Sequence, residues 1–194
     1  MFYSFFRLLS AIIFKILFRF KARGLEHIPK TGGFILASNH VSYLDPIAVG
    51  IACRRKLNYM AKEELFCNPL FSGFLSRINV FPVKRDSADL SALKEAMRRV
   101  RTGAGLVLFP EGSRRFDGAS GEPYAGIGFL AAKLSVPVIP AFVKGTEKAL
   151  PAGAKFIRLT SVSVCFGKQI SIEGRMPYQD IAGHIMDSIR HLSC

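Results

Sequence analysis

The sequence predicts an α/β fold: a mixed, largely buried sheet flanked by helices, with an amphipathic helix ahead of it. Three observations predict it. From residue 34 onward, short apolar runs alternate with stretches of helical periodicity, the pattern of strands and their covering helices. Runs such as FILAS (34–38) and GLVLF (105–109) are apolar throughout, as strands buried on both faces are. Residues 1–20, MFYSFFRLLSAIIFKILFRF, are apolar but interrupted by Arg7, Lys15 and Arg19.

That first segment has no uncharged stretch of ~18 residues, so it is too interrupted to span a bilayer. No small-residue cleavage site follows it, which argues against a signal peptide. Wound at about 100° per residue, Ser4, Arg7, Lys15 and Arg19 share one arc. Phe2, Phe6, Leu9, Ile13 and Phe20 cluster opposite, although Leu8, Ala11 and Phe18 intrude on the polar arc. Lys21 and Arg23 extend the positive charge, and residues 1–23 contain no acid. A wide apolar face beside a basic stripe is the pattern of a helix lying in the membrane interface. The competing expectation is a helix buried in the protein's own core.

Gly24 and the PKTGG run at 29–33 punctuate the passage into the globular part. Strands are predicted at 34–38, at 57–61 (LNYMA) and at 78–83 (INVFPV). Leu90, Leu93, Met97 and Val100 form a helical stripe over 89–101, which Asp86 or Ser87 can cap and Gly103 can end. The strand at 105–109 stops at Pro110. GIGFLAAKL (126–134) reads as a helix despite its glycines, and VPVIPAFV (136–143) as a strand with two prolines. SVSVCF (161–166) alternates apolar and small polar residues, so one of its faces should be less buried. The last helix begins near Pro177 and carries Ile181, Ile185, Ile189 and Leu192.

A chain of 194 residues fits one domain and is long enough to bury a core without staples. Hydrophobic residues make up 49% and the mean hydropathy is +0.26, which pushes toward membrane contact. Lys and Arg number 27 against 14 acids, a net charge of +13 that favours polyanions: nucleic acid, anionic lipid surfaces or acidic carrier proteins. The 17 Phe, against no Trp and 5 Tyr, suit apolar burial better than base stacking. Cys53, Cys67, Cys165 and Cys194 show no C-x-x-C spacing and no neighbouring His, so free thiols in a reducing cytoplasm are expected.

Two polar clusters, SNHVSYLDP and PEGSRRFDG, directly follow apolar strands, where functional loops sit in such sheets. His40 is suited to take a proton near neutral pH. Asp45, five positions along, can fold back in a short turn to fix its tautomer and stabilise the imidazolium. The spacing alone is weak, since a chance pair is expected in roughly one chain in eight of this composition. No G-x-S-x-G nucleophile motif or Walker loop is present. A base at His40 would therefore deprotonate a substrate hydroxyl, which attacks an activated acyl group directly. In the second cluster Gly112 lets the backbone approach a ligand, and Arg114 can grip phosphate through two parallel hydrogen bonds. Lys62 and Arg85, at the ends of the second and third strands, can add charge to the same rim.

In order along the chain stand Asn39-His40-x4-Asp45, Met60-Ala-Lys62-Glu-Glu-Leu65, Asn79-Val-Phe-Pro-Val-Lys-Arg85, Phe109-Pro-Glu-Gly-Ser-Arg114 and Val136-Pro-Val-Ile-Pro140. This ordered set resembles the glycerolipid acyltransferase family that includes the 1-acyl-glycerol-3-phosphate acyltransferases, over most of residues 20–170. The resemblance implies acyl transfer from a thioester, on coenzyme A or acyl-carrier protein, to the sn-2 hydroxyl of lysophosphatidic acid, giving phosphatidic acid for phospholipid biosynthesis. It implies His40 as base and Asp45 as its orienting partner. Asn39, Lys62, Arg85, Glu111, Gly112, Ser113 and Arg114 are expected to bind substrate, and Val136–Pro140 to help shape the acyl or acceptor site. The family implies no metal or prosthetic group; the thioester is a co-substrate. Residues 1–23 are then expected as an interfacial anchoring helix and 24–194 as the acyltransferase domain, peripheral or monotopic on the cytoplasmic face of the cell membrane.

The chain departs from the family's pattern at Asn79, where Gly is common, at Ser113, where Thr is usual, and at Arg115, where a small polar residue is frequent. These bear on the acceptor more than on the reaction, so another lysophospholipid, or a lipid-linked amine or hydroxyl, stays open. Gly126-Ile-Gly128-Phe-Leu-Ala131 fits G-x-G-x-x-A, with Glu147 about twenty residues on. It follows a polar loop rather than a strand, so its glycines are read as helix-packing or loop positions. The charge permits a nucleic-acid-binding module, but no nucleic-acid motif is present and no nucleic-acid partner is expected.

Overall fold

A computed structural model of the chain describes residues 1–84, 89–112, 122–151, 153–172 and 176–192. Among them, seven strands form one sheet: β1 (Lys21–Arg23), β2 (Phe34–Ser38), β3 (Leu57–Lys62), β4 (Val80–Val83), β5 (Gly105–Leu108), β6 (Val138–Lys144) and β7 (Ser163–Phe166). Their order is β1-β7-β6-β2-β5-β3-β4. Every strand pairing is parallel except β6 with β7, so the sheet is mixed, as expected. The helices are α1 (Phe2–Phe18), α2 (Asp45–Ala52), α3 (Pro69–Arg77), α4 (Leu90–Arg101), α5 (Ala125–Leu134), the single turn α6 (Thr146–Ala149) and α7 (Tyr178–Arg190).

Alternation along β2 sets the two cores. Phe34 and Leu36 face one side, where they meet Phe14 and Phe18 of α1 and Ala48 and Val49 of α2. Ile35 and Ala37 face the other, against Ala96 and Val100 of α4, Leu130 of α5 and Ile185 of α7. All five β2 residues are fully buried, and the four that face the two cores are apolar; Ser38, the last, is the one polar residue of the strand. Of the two glycines of GIGFLAAKL, Gly128 is a packing position, while a Cβ on Gly126 would meet nothing within 4 Å. A Cβ on Gly128 would collide with the Tyr178 carbonyl, so the missing side chain lets α5 approach α7.

Several expectations are corrected. SVSVCF has its less buried face only at Ser161 and Ser163: β7 lies inside the sheet, and Val164, Cys165 and Phe166 are all buried. The strand beside it, β1, is a polar Lys-Ala-Arg tripeptide that only its pairing with β7 reveals. The third strand starts at Val80 rather than at Ile78, because Asn79 turns into the left-handed region at φ 64°. The cap of α4 is Asp89, whose carboxylate accepts from Ser91 N and Ala92 N at 3.0 Å each; Asp86 and Ser87 lie outside the described residues. Cys53 and Cys67 are free thiols, but Cys165 is disulfide-bonded, a pairing that sequence spacing does not display.

The N-terminal helix buries one face in the core and leaves another, apolar face exposed. Its inward stripe is Tyr3, Arg7, Ser10, Phe14 and Phe18, with Phe14 and Phe18 in the core. Arg7 is therefore not part of an outer basic stripe. Its guanidinium donates to the Cys53 carbonyl at 2.8 Å, at the C-terminal end of α2, where carbonyls lack helical partners. The outward face carries Phe5, Leu8, Ile12 and Ile16, each at least half exposed. No described helix is long and apolar enough to cross a membrane.

Candidate active site

The polar residues gather where the parallel strands end. His40 follows β2, Lys62 ends β3, Phe109 follows β5, and Thr146 follows β6. This rim, beyond the carboxyl ends of the strands, is where open α/β sheets hold their ligands.

Asp45 opens α2 and is fully buried, as its pairing requires. Its Oδ2 accepts from Val41 N at 2.6 Å, Ser42 N at 2.7 Å and His40 Nδ1 at 3.0 Å. Its Oδ1 accepts from the Thr146 hydroxyl at 2.5 Å. Four donors thus offset the loss of hydration that would otherwise bar a carboxylate from the interior. An ionised carboxylate only accepts, so His40 carries its proton on Nδ1 and keeps the lone pair of Nε2 for a ligand. The imidazole stacks on Phe109, with ring centroids 4.1 Å apart and planes at 22°. Ring orientation is thereby fixed from one edge by Asp45 and from one face by Phe109.

The turn between them is tied down independently. The Ser42 hydroxyl donates to the Leu150 carbonyl at 3.2 Å. Asn39 uses both ends of its amide on one backbone unit: Nδ2 donates to Val143 O at 2.9 Å, and Oδ1 accepts from Val143 N at 2.7 Å. Asn39, expected as a substrate contact, clamps the end of β2 to β6.

His40 opens onto a cavity of about 600 Å³, within the usual range of ligand sites. Its walls come from α1, α2, α3 and β3, and are mostly apolar: Phe6, Ile47, Ile51, Met60, Phe71, Phe74 and Leu75. Exposed Lys62 and Tyr43 line it at the His40 end. At the other end the Tyr3 hydroxyl accepts from Leu57 N at 3.1 Å. Tyr59 and Lys62, which both line it, stand three residues apart in β3, so the cavity follows the strand for about 10 Å. Burial raises the Tyr59 phenol well above its ordinary range, and it also raises Tyr3 and the Cys53 thiol. All three stay neutral at this far end.

The structure brings together His40, Asp45 and Lys62. Glu111 is buried two residues past the stacked Phe109. Gly112 has φ 65°, and a Cβ there would meet the Tyr124 ring at 2.5 Å, so the chain needs glycine at this bend. Arg85, Ser113 and Arg114 lie outside the described residues. Val136–Pro140 does not line this cavity: the segment enters β6 at the end far from His40, with Val138 paired to Ile35. Sequence reasoning missed Thr146, 101 residues from Asp45 along the chain, and nothing local marks it. It also missed the stacking role of Phe109, although that residue begins the FPEGSR block.

A 1-acyl-sn-glycerol-3-phosphate acyltransferase of Brassica napus chloroplasts is 34% identical over 138 residues, 70% of this chain and 40% of that protein. The corresponding enzyme of Bacillus subtilis is 30% identical over 126 residues, 64% of this chain and 62% of that protein. The chain thus spans about two fifths to three fifths of the length of these curated relatives. The crystal structure of the 1-acyl-sn-glycerophosphate acyltransferase from Thermotoga maritima superposes with a TM-score of 0.81 at 23% identity, over 97% of this chain and 77% of that one, and so shares the fold. Residues 19–144 match the family described as Acyltransferase. That stretch contains the His40–Asp45 turn, the stacked Phe109 and the β6 clamp on Asn39, so sequence and geometry agree that the chain belongs to the Acyltransferase family.

Proposed function

We propose that the chain transfers a fatty acyl group from an acyl thioester to the sn-2 hydroxyl of a 1-acyl-glycerol 3-phosphate, giving phosphatidic acid. The observation that carries this reading is a fixed His40–Asp45 pair opening onto a long apolar cavity. With Nδ1–H held by Asp45, Nε2 takes the hydroxyl proton while the oxygen attacks the thioester carbon. Asp45 stabilises the imidazolium. The C–S bond then breaks, and the same proton passes to the departing thiolate. An ester and a free thiol result, without an acyl-enzyme, a metal or a prosthetic group. The donor thioester is carried by coenzyme A or acyl-carrier protein.

The acyl chain occupies the cavity beside β3, and Lys62 adds positive charge near the acceptor phosphate. Arg85, Ser113 and Arg114 complete the phosphate grip by family resemblance. The outward face of α1 lies in the interface of an anionic membrane, on its cytoplasmic side, with Lys15, Arg19, Lys21 and Arg23 toward the headgroups.

The test is a purified chain assayed with labelled thioesters on both carriers and a panel of lyso-acceptors, including an amine. His40→Ala should lower turnover at least ~10²-fold with the fold intact, as for a lost general base. Near-normal turnover in that variant rejects the mechanism. Arg114→Ala should raise KM for the phosphorylated acceptor more than for the donor, and an equal effect on both removes its assigned role.

A further inference from the structure

We propose that the loop at 153–159 is a second membrane-docking element, inserting Phe156, Ile157 and Leu159 into an anionic bilayer surface. These side chains are 82%, 51% and 76% exposed, far more than their apolar character explains in an isolated domain. Exposed Lys155 and Arg158 alternate with them. From Lys148 to Ile172 the chain carries four cations and no acid. Apolar tips among cations match a bilayer with anionic headgroups. A second copy is a poor occupant, because each copy carries a net +13. Three side chains also fall well short of the ~800 Å² per partner that a stable protein interface buries.

The loop is held for this role rather than draped. Ala154 N donates to Pro151 O at 3.1 Å, and Arg158 N to Ala149 O at 2.8 Å. At its far end Val162 N donates to Phe18 O at 2.8 Å, so the loop leaves the body beside the last turn of α1. Its root is part of the catalytic scaffold: Leu150 O receives the Ser42 hydroxyl, and Thr146 in the turn just before holds Asp45. Seating the loop on a membrane therefore sets the His40 turn at a fixed place on the lipid surface, where a lysolipid hydroxyl is presented. This last consequence rests on the acyltransferase reading; the docking itself does not.

The chain has no Trp, so Phe156→Trp or Leu159→Trp introduces a sole indole reporter. On adding phosphatidylglycerol-containing vesicles, both variants should show blue-shifted emission and quenching by brominated lipid, with little change in neutral vesicles. Phe156→Ser/Ile157→Ser/Leu159→Ser should weaken vesicle sedimentation at least tenfold at unchanged melting temperature. Lys155→Gln/Arg158→Gln should weaken it roughly 20- to 30-fold, since each cation near an anionic surface contributes about a factor of five. Leu8→Ser/Ile12→Ser/Ile16→Ser, on the outer face of α1, serves as the separate comparison. Unshifted emission with vesicles that still bind the chain, equal response to neutral vesicles, a concentration-dependent shift without lipid, or no vesicle binding by the unaltered chain each overturns the proposal. If the chain proves inactive on every acceptor while the indole still inserts, the acyltransferase reading fails and the docking element stands.

Discussion

Thr146→Val is the sharpest test of how the active site is held. The substitution removes one hydroxyl and keeps the side chain's shape. That hydroxyl donates to Asp45 Oδ1 at 2.5 Å, and both residues are fully buried. A hydrogen bond to a charged group contributes about 1.5–3 kcal/mol, and a buried acceptor left without it keeps the desolvation cost. At about 2–4 °C per kcal/mol for a chain of this size, the melting temperature should fall by roughly 3–12 °C. Asp45 Oδ2 keeps its bonds to Val41 N, Ser42 N and His40 Nδ1, so the pair survives in a looser setting. If about 1.4 kcal/mol of the loss reaches the transition state, kcat falls tenfold. Neither KM should move much, since Thr146 does not line the cavity. Thr146→Ser keeps the donor and should recover most of both losses. A Val variant as stable and active as the parent refutes the reasoning, and so does a Ser variant as impaired as Val.

Three further predictions concern the scaffold. Asn39→Ala strips both bonds to Val143 and should lower stability by about 1–3 kcal/mol in urea unfolding; a raised acceptor KM at unchanged stability would restore Asn39 to the substrate contacts. Asn79→Gly should be close to neutral and Asn79→Val should cost about 1–2 kcal/mol, because φ is 64° and a β-branched residue resists that region. The Asp89 carboxyl is held well below its usual range by bonds from Lys84 N, the Ser91 hydroxyl and Ala92 N. A depressed folded-state value means that its contribution is whole above about pH 4 and is lost as the pH falls below that. The gap in melting temperature between the parent and Asp89→Ala should therefore be full at pH 7 and narrow below pH 4; a gap independent of pH would contradict the capping role.

The parts of the fold legible in the sequence are those where one physical demand dominates. β2 and β5 are buried on both faces, so their residues could be little other than apolar. α4 and α7 each show one apolar stripe at helical spacing because one face alone meets the sheet. β1 escaped because three residues, two of them charged, hold no pattern; its place depends on β7, over 140 residues away. α3 carries a local signal at its start: Asn68 caps it, accepting from Leu70 N and Phe71 N, and Pro69 takes the first turn. Gly73 and the serines around it diluted the apolar stripe. α1 misled because helical geometry gives angles but not partners. Arg7 looked like a solvent residue until Cys53 O lay within reach.

The same distinction governs the site. His40 and Asp45 were legible because their contact is local, closed by one turn between a strand and a helix. What fixes them is remote and comes largely from one neighbouring strand. β6 lies beside β2 in parallel register, with Ile35 opposite Val138 and Ser38 opposite Ala141. Carried one residue on, that register sets Asn39 beside Phe142, from where its amide reaches the backbone of the next residue, Val143, and the turn after β6 brings Thr146 to Asp45. The Val136–Pro140 block enters the same strand at its other end, so it bears on the His40 turn through the strand. Its apolar residues bury β6 against β2: Val138 on the side of α5 and α7, Ile139 on the side of α1 and α2. A substitution there should loosen Asn39 and Asp45 together, lowering kcat and stability in step while leaving the lining of the cavity beside His40 unchanged.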